Sequence, residues 1–170
     1  RKIRFIQGRW PEKCEMQNEA LKYVTGDYVW FIDSDEVYKT EDLEKVKTLV
    51  KDDPSITQIN FIGDNFWKGL DYIFVSPKFF EVGAHWRRVF KFVKGANLTT
   101  HRPPTMVWPG SRLTTEQMHL VDGHQTRKMG IIPYHYSYVL DKQVKQKIDL
   151  YNRYGWGDKW RIDLNEWYRE

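Results

Sequence analysis

The stretch Tyr28-Val29-Trp30-Phe31-Ile32-Asp33-Ser34-Asp35-Glu36 decides the fold of this chain, because an apolar run ends directly in an acidic cluster. The run over residues 28–32 predicts a buried strand. Side chains alternate along a strand, so we expect Asp33 and Asp35 to point the same way from its carboxyl end, where open α/β sheets bind ligands. Two neighbouring carboxylates repel each other, and an oxygen-seeking divalent metal ion is the simplest compensation.

Composition sets the broad class of the protein. With 170 residues, 41% of them hydrophobic, the chain can build one core, and no apolar stretch of about 18 residues or signal-like region is visible. The single Cys14 excludes an internal disulfide framework and a cysteine-rich zinc site, and it fits a reducing, cytoplasmic setting. The net charge of +4 is modest and its lysines are scattered, so charge alone selects neither nucleic acid, membrane nor small anions.

The first part of the chain predicts a strand–helix–strand unit. Residues 1–6 alternate like a strand, 13–24 have helical periodicity that stops at Gly26, and the 28–32 strand follows. This order predicts a parallel βαβ crossover of the usual right hand. The predicted buried face of the helix consists of Gln17, Ala20, Leu21 and Val24.

Further helices and strands are expected up to residue 93. Thr40 can cap a helix that ends at Asp52-Asp53-Pro54, with a buried stripe of Leu43, Val46, Leu49 and Val50. Alternating or apolar segments predict strands at 57–62, 73–75 and 87–93.

The remainder divides into a loop, a helix and a tail. Residues 97–130 lack clear periodicity and are rich in Pro and Gly, which predicts a long loop region. Asp141 then caps a helix with Val144, Ile148 and Tyr151 inward and Lys142, Lys145 and Lys147 outward. We therefore expect one domain over residues 1–153 and an aromatic, basic tail over 154–170.

Five segments, taken in order, resemble the family 2 glycosyltransferases whose acidic motif is DADE-like. They are Gln17-Asn18-Glu19-Ala20-Leu21, Thr25-Gly26-Asp27-Tyr28-Val29, Asp33-Ser34-Asp35-Glu36, Arg88-Val89-Phe90-Lys91 and Tyr134-His135-Tyr136-Ser137-Tyr138. The resemblance implies an α/β, GT-A-like (Rossmann-related) fold with a mixed, mostly parallel sheet and flanking helices.

The resemblance also implies metal-dependent transfer of a sugar, with inversion, from a UDP- or GDP-type nucleotide-sugar donor to a hydroxyl acceptor. It assigns Asp35 to a bound Mn²⁺ or Mg²⁺ ion, and Asp33 to the metal or the donor ribose. His135 is either a further metal ligand or a packed, hydrogen-bonded histidine, and an imidazole ligand favours Mn²⁺. Asn18 and Gln17 are assigned to donor binding on the same resemblance.

The base that deprotonates the acceptor is less evident. Many relatives carry a carboxylate near a His at the position where this chain has His101-Arg102-Pro103-Pro104-Thr105. Glu81 is the preferred substitute and Asp64 the second, with Glu116 and Asp122 also open.

Enzymes of this family place two strands and a helix before the segment that matches Arg1, so we expect an N-terminally truncated domain. An exposed sheet edge would favour an oligomer, and a missing base pocket would weaken nucleotide-sugar affinity. A glycan or glycolipid acceptor, such as a lipopolysaccharide-type or other surface glycan, fits the resemblance. The basic, aromatic C-terminus allows peripheral membrane contact on the cytoplasmic face. Nucleic acid is not expected, because no dense basic stripe is present.

Two other functions remain open. A haloacid dehalogenase-type phosphatase would use Asp33 as a nucleophile, but Glu36-Val37 departs from its motif and the acid pair Asp52-Asp53 closes a helix. A sugar-binding or scaffold module of the same fold, without catalysis, is the second alternative.

Overall fold

The computed structural model describes residues 3–74 and 85–153, which form a mixed α/β structure. Within these residues the helices are α1 (Lys13–Leu21), α2 (Thr40–Asp52), α3 (Gly123–Lys128) and α4 (Asp141–Arg153), with a 3₁₀ turn at Thr115–Gln117. The strands are β1 (Tyr28–Trp30), β2 (Glu36–Val37), β3 (Gln58–Phe61), β4 (Asp64–Trp67), β5 (Trp86–Lys91), β6 (Asn97–His101), β7 (Pro104–Val107), β8 (Leu120–Val121) and β9 (Tyr134–Tyr138). None of the helices in this part of the chain is long and apolar enough to cross a membrane.

The strands form a main sheet, a second sheet and a hairpin. The main sheet has the order β1-β5-β3-β8, the second sheet β2-β9-β4, and β6 pairs with β7. The predicted mixed character of the sheet is confirmed. The expectation of a mostly parallel sheet is wrong for the described pairings: β3–β8 and β4–β9 are parallel, and the other four are antiparallel. In the main sheet the cause is β5, which lies between β1 and β3 and runs opposite to both.

The predicted first strand does not form in the described residues. Residues 3–10 have no regular secondary structure, and Ile3 and Phe5 are 81% and 84% exposed. An alternating pattern becomes a strand only where it finds a partner and a face to bury it. The neighbour of β1 is instead β5, in antiparallel register with Tyr28 opposite Lys91. The predicted parallel crossover is therefore wrong.

The main sheet carries apolar layers on both faces. Val89 of β5 packs with Val46 of α2, while the next residue, Phe90, packs with Leu21 of α1 and Leu98 of β6. This follows from the alternation of side chains along β5. Trp30 stacks on Phe61 with ring centroids 5.5 Å apart, so the end of β1 is fixed against β3.

Three helices and two long strands were predicted close to their observed bounds, with differences in detail. On α1, Gln17 and Leu21 are buried but Ala20 is exposed, because the helix ends at Leu21. Thr40 is the first helical residue of α2, and Lys39 takes the position before it, so the predicted cap is not formed. In the predicted 73–75 strand, Ile73 forms a single bridge to Phe66, and residue 75 lies outside the described residues.

The predicted loop over 97–130 is wrong, because it contains β6, β7, the 3₁₀ turn, β8 and α3. These elements span two to six residues each, which is too short for periodicity to show. Local hydrogen bonds hold them. Asp122, for example, accepts hydrogen bonds from the backbone N–H groups of His124 and Gln125 and caps α3. The predicted tail lies outside the described residues.

Candidate active site

The acidic segment forms a turn that connects the main sheet to the second sheet. β1 ends at Trp30, the backbone N–H of Glu36 donates to the carbonyl of Asp33 at 3.0 Å, and β2 begins at Glu36. Ile32, predicted to be buried, is 50% exposed because the strand has already ended. Of the three carboxylates of this turn, Asp33 and Glu36 both contact Arg88, whereas Asp35 contacts His135.

Glu36 anchors the turn from inside the protein. Its side chain is 1% exposed, and Nε of Arg88 on β5 donates to both of its carboxylate oxygens, at 3.1 and 3.0 Å. Burial lowers the pKa of Arg88, but the bonds to Glu36 outweigh it, so the pKa is raised overall. Glu36 therefore holds the turn against β5 and is shielded from solvent.

Asp33 lies between two cations. Arg88 donates to its Oδ2 at 3.1 Å, and Lys13 of α1 contacts Oδ1. Burial raises the pKa of Asp33, yet Arg88 and Lys13 together hold that pKa below its ordinary value. The carboxylate is ionised, and both of its oxygens already have cationic partners.

Asp35 faces the second sheet. Nε2 of His135 lies 3.3 Å from its Oδ2, and the Ser137 hydroxyl donates to the same oxygen. The hydrogen bond from His135 is the largest cause of a lowered pKa for Asp35, with burial acting against it and Ser137 adding to it. The structure therefore brings Asp35 and His135, which are far apart in the sequence, into contact.

The other nitrogen of His135 is fixed by β4. Nδ1 lies 2.6 Å from Oδ1 of Asn65, which is a buried side chain. An amide oxygen accepts only, so Nδ1 carries the proton. Nε2 is then the nitrogen that faces the Asp35 carboxylate, which is how a metal-binding histidine is oriented by a partner on its other nitrogen.

The donor set fits a hard or borderline divalent cation. Asp35 offers a carboxylate oxygen and His135 an imidazole nitrogen. Across residues 3–74 and 85–153, no group of three or more His, Cys, Asp or Glu side chains is placed to hold one metal ion. The described residues thus supply two metal donors, Asp35 and His135. Asp33 is not a third, because Arg88 and Lys13 bind its carboxylate.

Lys147 also reaches this site, contrary to the prediction that it points outward. It lies one helical turn after the buried Val144 on α4, and its Nζ sits 4.4 Å from the ring centroid of Tyr138 on β9. Burial lowers the pKa of Lys147 to about 8, and the charge of Asp35 opposes that shift. The spacing of three from Val144 is a sequence signal that could have placed this side chain inward.

His101 is a further residue that the sequence reasoning did not assign. Burial, reinforced by Lys13 and Arg102, lowers its pKa to about 4, so the imidazole is neutral at physiological pH. Nε2 accepts a hydrogen bond from Nε of Arg102 at 3.2 Å, and the buried Nδ1 has no hydrogen-bond partner in the described part of the chain. Asp33 acts on the same imidazole, so His101 lies near the acidic turn.

Comparison with known proteins adds the family. The sequence profile of glycosyl transferase family 2 matches residues 1–107, well over half of the 170 residues. The chain belongs to this family. A search of curated proteins found no significant match. The profile of family 2 covers the acidic turn and Arg88 but ends before β9 and α4, so His135, Ser137 and Lys147 come from the part of the chain beyond it.

Asn18 and Gln17, the two residues of this family 2 chain assigned to donor binding alone, differ in their contacts. Asn18 donates to the carbonyl of Leu98 at 2.9 Å and accepts from its N–H at 2.7 Å, so it ties α1 to β6. Gln17 is buried, and its Oε1 has no hydrogen-bond partner among the described residues.

Three of the four candidate bases are engaged in other contacts. Asp64 accepts from Arg127 at 2.9 Å, Glu116 pairs with Arg87 at 2.5 Å, and Asp122 caps α3. Glu81 lies outside the described residues.

Proposed function

We propose that this chain is a metal-dependent, inverting glycosyltransferase domain of the GT-A type. It transfers a sugar from a nucleoside-diphosphate sugar of the UDP or GDP type to a hydroxyl group on a glycan or glycolipid. The observation that carries the proposal is the pairing of Asp35 with His135 at 3.3 Å, beside the acidic turn of a family 2 chain.

Asp35 and His135 are the residues that would hold Mn²⁺ or Mg²⁺, and the imidazole favours Mn²⁺. When bound, such an ion neutralises the negative charge that develops on the leaving diphosphate. The surrounding residues prepare the two donors. Asn65 fixes the tautomer of His135, and Arg88 holds the turn that carries Asp35 by binding Glu36.

The acceptor hydroxyl needs a base to take its proton, and Glu81 remains our proposal for it. Asp64 is paired with Arg127 and Glu116 with Arg87, so each of these carboxylates already has a cationic partner. Asp122 is engaged at the start of α3.

Donor turnover tests the proposal. We expect the chain to release UDP or GDP from a matching nucleotide sugar with Mn²⁺, and to lose this activity with a chelator. Asp35→Asn should lower the rate about 100-fold or more, because the charge of a ligand is lost while the shape is kept. Asp52→Asn, at the exposed end of α2, is the matched control and should leave the rate unchanged.

Turnover that is insensitive to the chelator or to Asp35→Asn contradicts the proposed role of the metal. Glycan binding without turnover of any UDP- or GDP-sugar contradicts catalysis and supports a sugar-binding module of the same fold.

A further inference from the structure

Lys147 differs from the other lysines of α4. Lys142 and Lys145 are exposed, and Lys145 pairs with Asp141 on its own helix at 2.7 Å. Lys147 is partly buried between α4 and β9, with its ammonium over the ring of Tyr138. Side chains of this type bury the stem and keep the head near polar groups. The Tyr138 ring also contacts the ring of His135, with centroids 5.6 Å apart, so the ammonium lies close to the histidine that faces Asp35.

In the described part of the chain, the ammonium of Lys147 lies over the Tyr138 ring but has no anion at salt-bridge distance. Asp35, Asp33 and Glu36 all act on it electrostatically. Within the described residues, however, Nζ makes no ion pair at 4.0 Å or less. Asp33 and Glu36 are already bound by Lys13 or Arg88, and Asp35 by Ser137 and His135. A partly buried cation of this kind is stabilised by an anion that enters the site.

We propose that Lys147 binds the diphosphate of the donor. This inference rests on the proposed function and extends it beyond the segment that the family profile matches. An ammonium group offers three N–H donors as a compact charge, which suits the non-bridging oxygens of a diphosphate.

The role of Lys147 in transfer is electrostatic. The bond between the anomeric carbon and the β-phosphate oxygen breaks, and its electron pair goes to that oxygen. The acceptor oxygen forms the new bond to the anomeric carbon, and its proton goes to the carboxylate base. Lys147 stabilises the charge added to the leaving diphosphate and transfers no proton.

A simpler role would be to balance the charge of Asp35 in the folded protein. The two roles differ in a measurable way. Charge balance alone makes Lys147 matter for stability and leaves anion affinity unchanged, whereas a binding role makes it matter for anion affinity.

Titration of the whole chain with inorganic pyrophosphate and Mn²⁺, followed by calorimetry, separates these roles. Lys147→Met keeps the apolar stem and should weaken pyrophosphate binding at least about tenfold. Lys147→Arg should recover most of the affinity, and Lys145→Met, on the exposed face of the same helix, should match wild type. Circular dichroism spectra establish that each variant is folded, and Lys147→Gln replaces Lys147→Met if that variant fails to fold.

Wild-type affinity in folded Lys147→Met or Lys147→Gln overturns the inference, as does the absence of pyrophosphate binding in wild type. The proposed function fails separately. Pyrophosphate binding that depends on Lys147, without turnover of any UDP- or GDP-sugar, supports the anion site but contradicts the proposed glycosyltransferase activity. Turnover that persists in Lys147→Met with unchanged kcat and KM removes the role of Lys147 alone, whereas a fall mainly in kcat supports it.

Discussion

At the residue scale, the site rests on two side chains, His135 and Asp35, that face each other. Nδ1 of His135 donates to Asn65, so Nε2 faces the Asp35 carboxylate at 3.3 Å. Such a pair is stable only with a proton or another cation between the two atoms. A divalent ion satisfies both donors at once, and Ser137 keeps the Asp35 carboxylate in place by a hydrogen bond to Oδ2.

The sequence predicted these residues only in part. Asp35 and His135 are named by their motifs, but their contact joins residues far apart in the chain, and only the resemblance connected them. Ser137 and Asn65 carry no signal of their own, because a hydroxyl or amide becomes informative only when its partner is known. The two cationic partners of Asp33 were missed for the same reason, since Lys13 and Arg88 lie on α1 and β5.

His101 gives the folded chain a specific loss of stability in weak acid. Its pKa falls from an ordinary 6.5 to about 4 on folding, so the unfolded chain binds the extra proton first. The free energy of unfolding therefore has its full contribution from the neutral His101 above about pH 6.5. It loses that contribution as the pH falls toward about 4. This loss of unfolding free energy should be about 1–2 kcal/mol smaller in His101→Gln. The value is lower than the full pKa shift implies, because part of the ring is exposed to solvent.

Urea unfolding of both proteins at several pH values in this window measures the effect. A wild-type free energy of unfolding that rises as the pH falls, or an equal slope in His101→Gln, would show that the buried imidazole is not the cause.

At the scale of elements, Arg88 connects β5 to the turn before β2. Replacing it by Met leaves the Glu36 carboxylate buried and unpaired, which should cost about 3–5 kcal/mol of unfolding free energy. Adding Glu36→Gln to Arg88→Met removes the buried charge and should restore a large part of that loss. Urea denaturation of the single and double variants measures both quantities.

Arg87→Met is the matched control, because Arg87 lies on the same strand but pairs with the more exposed Glu116. We expect it to cost about 1 kcal/mol or less. A double variant that is no more stable than Arg88→Met would refute the assignment of Glu36 as a buried charge held by Arg88.

Asn18 connects α1 to the β6–β7 hairpin through two hydrogen bonds to Leu98. Asn18→Ala should therefore destabilise the fold by about 1–3 kcal/mol, because the backbone groups of Leu98 lose their partner. Affinity for pyrophosphate with Mn²⁺ should stay at the wild-type value. Thermal unfolding and calorimetry check the two parts. Unchanged stability with weakened anion binding would instead restore the donor-binding role first predicted for Asn18.

The elements differ in how far the sequence determines them. α2, β3 and β5 carry enough alternating or helical positions for periodicity to identify them, and each contributes buried apolar residues to the same core cluster. The segment over residues 97–130 could not be read because its elements are short and depend on tertiary contacts. The prediction for residues 3–6 failed for a different reason: their alternating pattern is clear, but none of the described strands pairs with them.

At the scale of the whole molecule, the site lies where the two sheets meet. Asp33, Asp35 and Glu36 lie at the crossing from β1 to β2, Arg88 comes from the main sheet, and His135 and Ser137 come from β9 of the second sheet. The family profile matches residues 1–107, so half of this arrangement is supplied by later residues. Assembly of the site therefore requires the second sheet to pack beside the turn.

The central claim is that Asp35 and His135 bind a metal ion that serves a diphosphate. The most direct measurement is Mn²⁺ binding by the whole chain with pyrophosphate present, followed through loss of the free Mn²⁺ signal in electron paramagnetic resonance. We predict about one Mn²⁺ per chain, with affinity reduced at least about tenfold in Asp35→Asn and in His135→Gln, and unchanged in Asp52→Asn. Absence of Mn²⁺ binding, or equal affinity in all four proteins, would contradict the account.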